Sequence, residues 1–170
     1  KAAETGQPKH GGMRIIWHDT VLRWSILTTA IVVACAVVDN VAAPFRFINQ
    51  LATSSSGYGF YLALWGVGAL AGSQLPRKIT TSALPTSLAI GNGLSGLGIV
   101  GIGLAPSLGL ALCASALGGI GNGVANVTQS ALVASRVGAD QRGRAFAAVG
   151  ATIQTGVGVG TVAGAPLVAG

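Results

Sequence analysis

The chain has 170 residues, 51% of them hydrophobic and 8% charged, with a mean hydropathy of +0.66. Soluble domains carry about 25% charged residues, so the composition excludes a soluble globular domain and indicates a membrane protein. The net charge of +6 comes from basic residues scattered in small groups between apolar runs; this gives no stripe for nucleic acid and excludes it as a partner.

The 27 glycines follow no Gly-X-Y period, which leaves close helix-on-helix packing as their reason. Cys35 and Cys113 sit singly in apolar runs, so neither a disulfide framework nor a metal site is indicated, and no cofactor is expected. No N-terminal signal peptide is present; the chain begins at Lys1 and stops inside an apolar run. A fragment of a longer protein, incomplete at both ends, is therefore expected.

Residues 1–24 read as a polar loop followed by an interfacial approach, because Trp17 and Trp24 favour the headgroup level. His10 and His18 lie in this stretch without companions for metal binding and read as solvated surface residues. The membrane domain is expected over residues 25–170, with helices at about 25–44, 59–75, 84–104, 108–135 and 145–170. Each is close to or above the ~20 residues that cross a bilayer core.

The first span holds Asp39, followed by Asn40, and ends at Pro44; Arg46, Asn49 and Gln50 begin a polar connection. The second carries Gly68 and Gly72 one turn apart, a seam along which a neighbouring helix can approach, and ends at Pro76-Arg77-Lys78. The third carries Gly96-Leu97-Gly98-Ile99-Val100-Gly101. This matches the dinucleotide-binding pattern in spacing but lacks the preceding strand and the acidic residue about 20 positions on. The turn Ala105-Pro106-Ser107 is so short that the third and fourth spans must be antiparallel neighbours. In the fifth, Gly156, Gly160 and Gly164 extend the four-residue glycine spacing.

Five spans alternate sides and so sort the ten basic residues. Lys1, Lys9, Arg14, Arg23, Arg77, Lys78, Arg136, Arg142 and Arg144, nine of them, fall on one side, against Arg46 on the other. The positive-inside rule assigns the crowded side, with the N-terminal segment, to the cytoplasm of a multi-pass protein of the cell membrane.

Asp39 is the one ionisable residue within the expected spans. A charge near the bilayer centre costs at least about 2.5–3.5 kcal/mol on insertion scales. It marks either a proton or substrate site, or a residue that reaches the outer headgroups or Arg46. In the fourth span Ser115, Asn122, Asn126 and Gln129 share one helical face, which either bonds to other helices or lines an aqueous cavity; Asn92, Gln154 and Thr155 are weaker candidates of the same kind. No carboxylate pair, Ser-His-Asp set or phosphate loop occurs, so an enzymatic role is not expected. In the loop 136–144, Arg136 suits the negative end of the fourth helix and Asp140 can cap the fifth. Arg142 and Arg144 serve either to orient the chain or to latch onto carboxylates elsewhere on the cytoplasmic face.

Two motifs resemble the major facilitator superfamily, and within it the drug and siderophore exporters. One is Gly118-Gly119-Ile120-Gly121-Asn122-Gly123 followed by Val137-Gly138-Ala139-Asp140-Gln141-Arg142-Gly143-Arg144-Ala145-Phe146. The other is Ser56-Gly57-Tyr58-Gly59 leading to Gly66-Val67-Gly68-Ala69-Leu70-Ala71-Gly72 and Arg77-Lys78. Gly138 stands where relatives often have proline, and Pro76 replaces the acidic residue of the family's basic-loop motif.

The resemblance implies an all-α polytopic membrane protein whose five transmembrane helices form part of a C-terminal six-helix bundle. It also implies a proton-coupled secondary transporter that exports small amphipathic molecules by alternating access. The partners would be a small-molecule substrate, the lipid bilayer and a missing N-terminal half. Asp39 would then be the proton or cation site, with Asn40, Asn122, Asn126, Gln129 and Gln154 along the path. Arg77, Lys78, Asp140, Arg142 and Arg144 would act in topology or conformational change. The alternative reading is a non-transporting scaffold or membrane subunit, which expects the amide face to be fully paired between helices, with no cavity.

Overall fold

The computed structural model describes residues 11–49, 51 and 55–166. Lys1, Glu4, Lys9, His10 and Gln50 lie outside them, as do the side chains of Asn49 and Lys78. The described residues form helices and contain no strand: α1 Gly12–His18, α2 Thr20–Asn49, α3 Ser55–Gly72, α4 Leu84–Leu104, α5 Leu108–Arg136 and α6 Arg142–Gly164. Two short 3₁₀ turns, Leu75–Lys78 and Thr81–Ala83, link α3 to α4.

Four of these helices are long and apolar enough to cross a membrane, over Thr20–Ile48, Thr81–Leu104, Leu108–Arg136 and Arg142–Gly164. The protein is thus an all-helical polytopic membrane protein. α3 is not among the four, because serines, tyrosines and glycines dilute its leucines. It lies beside the first half of α5, level with Ser115 to Gly123. Its Tyr61 accepts a hydrogen bond from Ser115 through the backbone carbonyl, while Gly72, at its far end, abuts Ile120.

α2 exceeds the expected span at both ends. At its start Asp19 caps the helix, its Oδ1 accepting from the backbone N–H groups of Val21 at 2.9 Å and Leu22 at 3.1 Å. At its end the helix continues through Pro44 to Asn49, although proline cannot donate to the carbonyl four residues back. Two anchors beyond the proline hold it. Phe47 is fully buried against Tyr58 and Tyr61, with ring centroids 5.8 and 5.0 Å away. Arg46 donates through Nη1 to the carbonyls of Ile102 and Gly103, and through Nη2 to that of Ala105 at 2.8 Å. A cation on α2 thus closes the C-terminus of α4, where the free carbonyls and the negative end of the dipole lie.

Packing follows the glycine seams. α5 is the hub, with α3 and α4 laid along it, and α6 runs along α2. At Gly156 and Gly160 of α6, a β-carbon would fall on the backbone carbonyls of Ala30 and Ala34 in α2, and Gly164 sits against Val41. At Gly68 of α3 it would strike the carbonyl of Ala116, and at Gly98 of α4 the Cα of Gly118. The Gly96–Gly101 pattern therefore lies inside a continuous helix, and two of its glycines, Gly98 and Gly101, serve the α4–α5 crossing. In lipid, where the hydrophobic effect does not drive helices together, such close approach supplies the van der Waals contact.

The bundle has two distinct ends. At one, Arg46 meets the α4–α5 turn. At the other, the α1–α2 junction meets the end of α5 through the Asp19–Arg136 ion pair, Nη1 to Oδ2 2.9 Å, and Gly12 of α1 rests on the backbone of Arg144.

Candidate functional site

Near the Arg46 end, α2, α3, α4 and α5 line a partly open cavity of about 310 Å³. Asp39, Asn40, Tyr61, Trp65 and Asn122 line it together with apolar residues that include Val37, Leu62 and Ile99. Asp39 lies seven residues before Arg46, about 10 Å deeper along the helix axis at 1.5 Å per residue. Its carboxylate Oδ2 accepts the Tyr61 hydroxyl at 2.8 Å, whereas the Arg46 guanidinium turns its two terminal nitrogens to the carbonyls of Ile102, Gly103 and Ala105 and leaves its Nε buried without a partner. Arg46 therefore acts on Asp39 through its charge, with no direct hydrogen bond between them.

Tyr61 is held on every side. It is 2% exposed, its ring stacks with Tyr58 at 5.6 Å and tilts against Phe47, and its carbonyl is tied to Ser115 of α5 at 2.8 Å. A side chain so constrained fixes the carboxylate it bonds to. Asn40 adds a further feature. Pro44 lacks the N–H that would serve the Asn40 carbonyl, so that acceptor loses its ordinary helical partner beside the cavity.

The amide face of α5 divides along its length. Asn122 lines the cavity, and Asn126, exposed, donates back to the Asn122 carbonyl at 2.9 Å and to its side chain at 3.1 Å. Gln129, 6% exposed, is bonded across the bundle instead: its Oε1 accepts from Thr29 of α2 at 3.2 Å, and Thr29 accepts from Asn92 of α4 at 3.0 Å. Gln129 Nε2 is buried without a partner. Of the residues expected along a path, Asp39, Asn40 and Asn122 therefore meet in one cavity, Asn126 adjoins it, and Gln129 and Asn92 form interhelical bonds. Gln154 is exposed on α6, away from the cavity lining.

The opposite end gathers the charged loops. Arg77 is exposed in the first 3₁₀ turn, and Asp140, Arg142 and Arg144 are exposed between α5 and α6. Asp140 does not cap the last helix: α6 starts at Arg142, its N-cap is Gln141, and no side-chain cap bond forms. Arg142 reaches back instead, donating through Nε to the carbonyl of Val137 at 3.1 Å, the C-cap of α5. It thus serves the negative end of α5 rather than opposing the positive end of its own helix. Arg136 serves the same end and bridges to Asp19. Burial pushes the Asp19 carboxyl up, but the Leu22 and Val21 N–H groups and the Arg136 guanidinium outweigh it and hold the group below the usual carboxylate range.

Sequence reasoning missed three of the groups that matter here. Asp19 had a legible signal, Asp-Thr immediately before an apolar run. Tyr61 and Trp65 had none, because nothing local joins α3 to a carboxylate 22 residues upstream. Both cysteines lie on the outside of the bundle. No protein family, curated protein or solved structure matches the chain.

Proposed function

We propose that the chain is the membrane part of a proton-coupled secondary transporter of the major facilitator kind, exporting small amphipathic molecules by alternating access. It spans the cell membrane five times, α3 included, with its N-terminal segment and the loops at Arg77 and 136–144 in the cytoplasm. The rest of the transporter is the other half of the same protein.

The observation that carries this reading is the placement of Asp39. An intramembrane carboxylate is expensive, and one kept in a cavity with amides, a tyrosine and apolar walls has the surroundings of a binding site rather than of a buried structural pair. Two further features support it. The direction of α3, parallel to α5 and returning between α2 and α4, suits an odd number of crossings. Among the described residues, Arg14, Arg23, Arg77, Arg136, Arg142 and Arg144 lie towards the end opposite Arg46, and Arg46 has a structural reason to stand apart, because it closes α4.

The test uses the full-length protein in proteoliposomes with an imposed proton gradient. Asp39→Asn is expected to abolish gradient-driven accumulation while leaving the protein folded in the membrane. Unchanged coupling removes Asp39 from the mechanism and with it the ground for the reading. The scaffold reading draws on Gln129, Thr29, Asn92 and Ser115, which do bond between helices. It leaves the cavity at Asn122 without a purpose.

A further inference from the structure

We propose that the furrow between α1, α2 and α6 holds one acyl chain of an anionic phospholipid, whose phosphate is drawn to the arginines at its mouth. This requires the membrane and not the transport cycle.

The furrow is apolar and elongated. It is open on one side, has a volume of about 480 Å³, and is lined by Met13 and Trp17 of α1, Leu27 and Ile31 of α2, and Ala151 and Val159 of α6. From Ala151 to Val159 it follows α6 for about 12 Å at 1.5 Å per residue. The seam between α2 and α6 makes its floor, because Gly156 lets the two backbones meet and adds no side chain to fill the space. Two threonines, Thr152 and Thr155, also belong to the lining. Their hydroxyls donate to the carbonyls of Ala148 and Ala151 on their own helix, so their donors are spent.

The mouth differs from the furrow. Trp17 is exposed on α1, which rests on the start of α6 through Gly12, and tryptophan favours the headgroup level. Arg14 is exposed on the same short helix, and Arg144 is exposed two turns before Ala151 on the same face of α6. Long side chains on a helix lean towards its N-terminus, which for Arg144 is away from the furrow and towards water. Among the described residues the carboxylates at this end are Asp19, bonded to Arg136, and Asp140, in the loop before α6. The arginines outnumber them, and the excess positive charge suits a phosphate. In a bilayer the acyl chain exchanges one hydrocarbon surrounding for another, so the furrow contributes shape and van der Waals contact rather than a hydrophobic gain. Selectivity then comes from the headgroup, at about fivefold for each arginine near the membrane surface.

The test uses the full-length protein in detergent micelles, titrated with dioleoylphosphatidylglycerol and with dioleoylphosphatidylcholine and followed by native mass spectrometry. These lipids share their chains and differ in net charge. The first phosphatidylglycerol is expected to bind about tenfold or more tightly than the first phosphatidylcholine, and Arg14→Gln combined with Arg144→Gln to bring the two within about threefold. Ala151→Phe, which keeps every charge and narrows an exposed part of the furrow, is expected to weaken phosphatidylglycerol about fivefold. Location is measured separately, in nanodiscs of phosphatidylcholine with roughly one part in ten of phosphatidylglycerol, by placing the photoreactive p-benzoylphenylalanine at Ile31 or at Leu97, both exposed. Adducts at residue 31 are expected to be enriched in phosphatidylglycerol, and those at residue 97, on α4, to follow the bulk ratio. Equal affinity of the wild-type protein for the two lipids overturns the proposal, as does selectivity that survives the loss of both arginines. So does a bulk ratio at residue 31, or a crosslink from it to another segment of protein, since protein rather than lipid then covers the furrow.

Discussion

Arg46 offers the sharpest test of how this bundle is held together. Its guanidinium donates to three carbonyls at the C-terminus of α4, those of Ile102, Gly103 and Ala105, and so ties α2 to α4 beyond Pro44. A hydrogen bond to a charged group contributes about 1.5–3 kcal/mol. Three would exceed 4 kcal/mol if additive. They share one guanidinium and the Gly103 bond is exposed, so water replaces part of the set when the side chain is removed, and about 2–3 kcal/mol is the expected cost of Arg46→Ala. Arg46→Lys keeps the charge at the dipole but loses the planar fork, so about 1–2 kcal/mol is expected. Arg46→Gln, with two donors and no charge, should fall between Lys and Ala. The assay is reversible unfolding in mixed micelles followed by far-ultraviolet circular dichroism, with α2–α4 proximity read by cross-linking of paired cysteines at residues 48 and 104. A stability within about 0.5 kcal/mol of wild type for Arg46→Ala, or equality of Lys and Arg, refutes the capping argument. Topology should not change in any of these variants, since removing Arg46 only deepens the charge asymmetry that orients the chain.

Three other predictions follow from contacts elsewhere. Asp19→Asn keeps the cap of α2 and loses the ion pair to Arg136, and is expected to cost about 0.5 kcal/mol, screened by salt. Asp19→Ala loses both, at about 1.5 kcal/mol. Because the folded carboxyl lies below its ordinary 3.8, the charged form's contribution is complete above that value and is lost as pH falls through the lower, folded one. The gap between Asp19→Ala and wild type should therefore stay constant around neutral pH and narrow only below about pH 4, and a gap that closes near neutrality contradicts this. Gly98→Ala, whose new methyl meets the backbone of Gly118, is expected to cost about 1–3 kcal/mol, whereas Gly96→Ala, with nothing within 4 Å, should be neutral or up to about 1 kcal/mol stabilising; equal thermal midpoints for the two would dismiss the seam. Gln129→Leu removes a buried unpartnered Nε2 at the loss of one bond to Thr29, so stability is expected within about 1 kcal/mol of wild type. A loss above about 2 kcal/mol would show that the amide chain from Asn92 to Gln129 holds the bundle.

The glycine seams were legible because spacing alone carries them: residues four apart share a helical face, and in a membrane a glycine stripe has close approach as its use. The end of α2 was not legible. Pro44 followed by polar residues reads as a stop, and only the burial of Phe47 and the carbonyls waiting at Ala105 carry the helix onward. The amides of α5 share one face by spacing, but about two helical turns of depth separate Asn122, at the cavity, from Gln129, bonded to Thr29. The bond that Arg142 makes to Val137 was not legible for a similar reason. Its own helix disfavours it, and the carbonyl it serves belongs to the helix before.

By itself the sequence determined that this chain is helical and lies in a membrane, where its apolar runs fall, and that Asp39 is the anomalous charge within them. These are matters of local composition and period, which a linear reading measures directly. The tertiary structure alone decided that Tyr61, Trp65 and Asn122 stand around that carboxylate while Arg46 turns its terminal nitrogens to the end of α4. Those pairings join residues from separate helices, and their geometry is set by how closely glycine lets the helices approach.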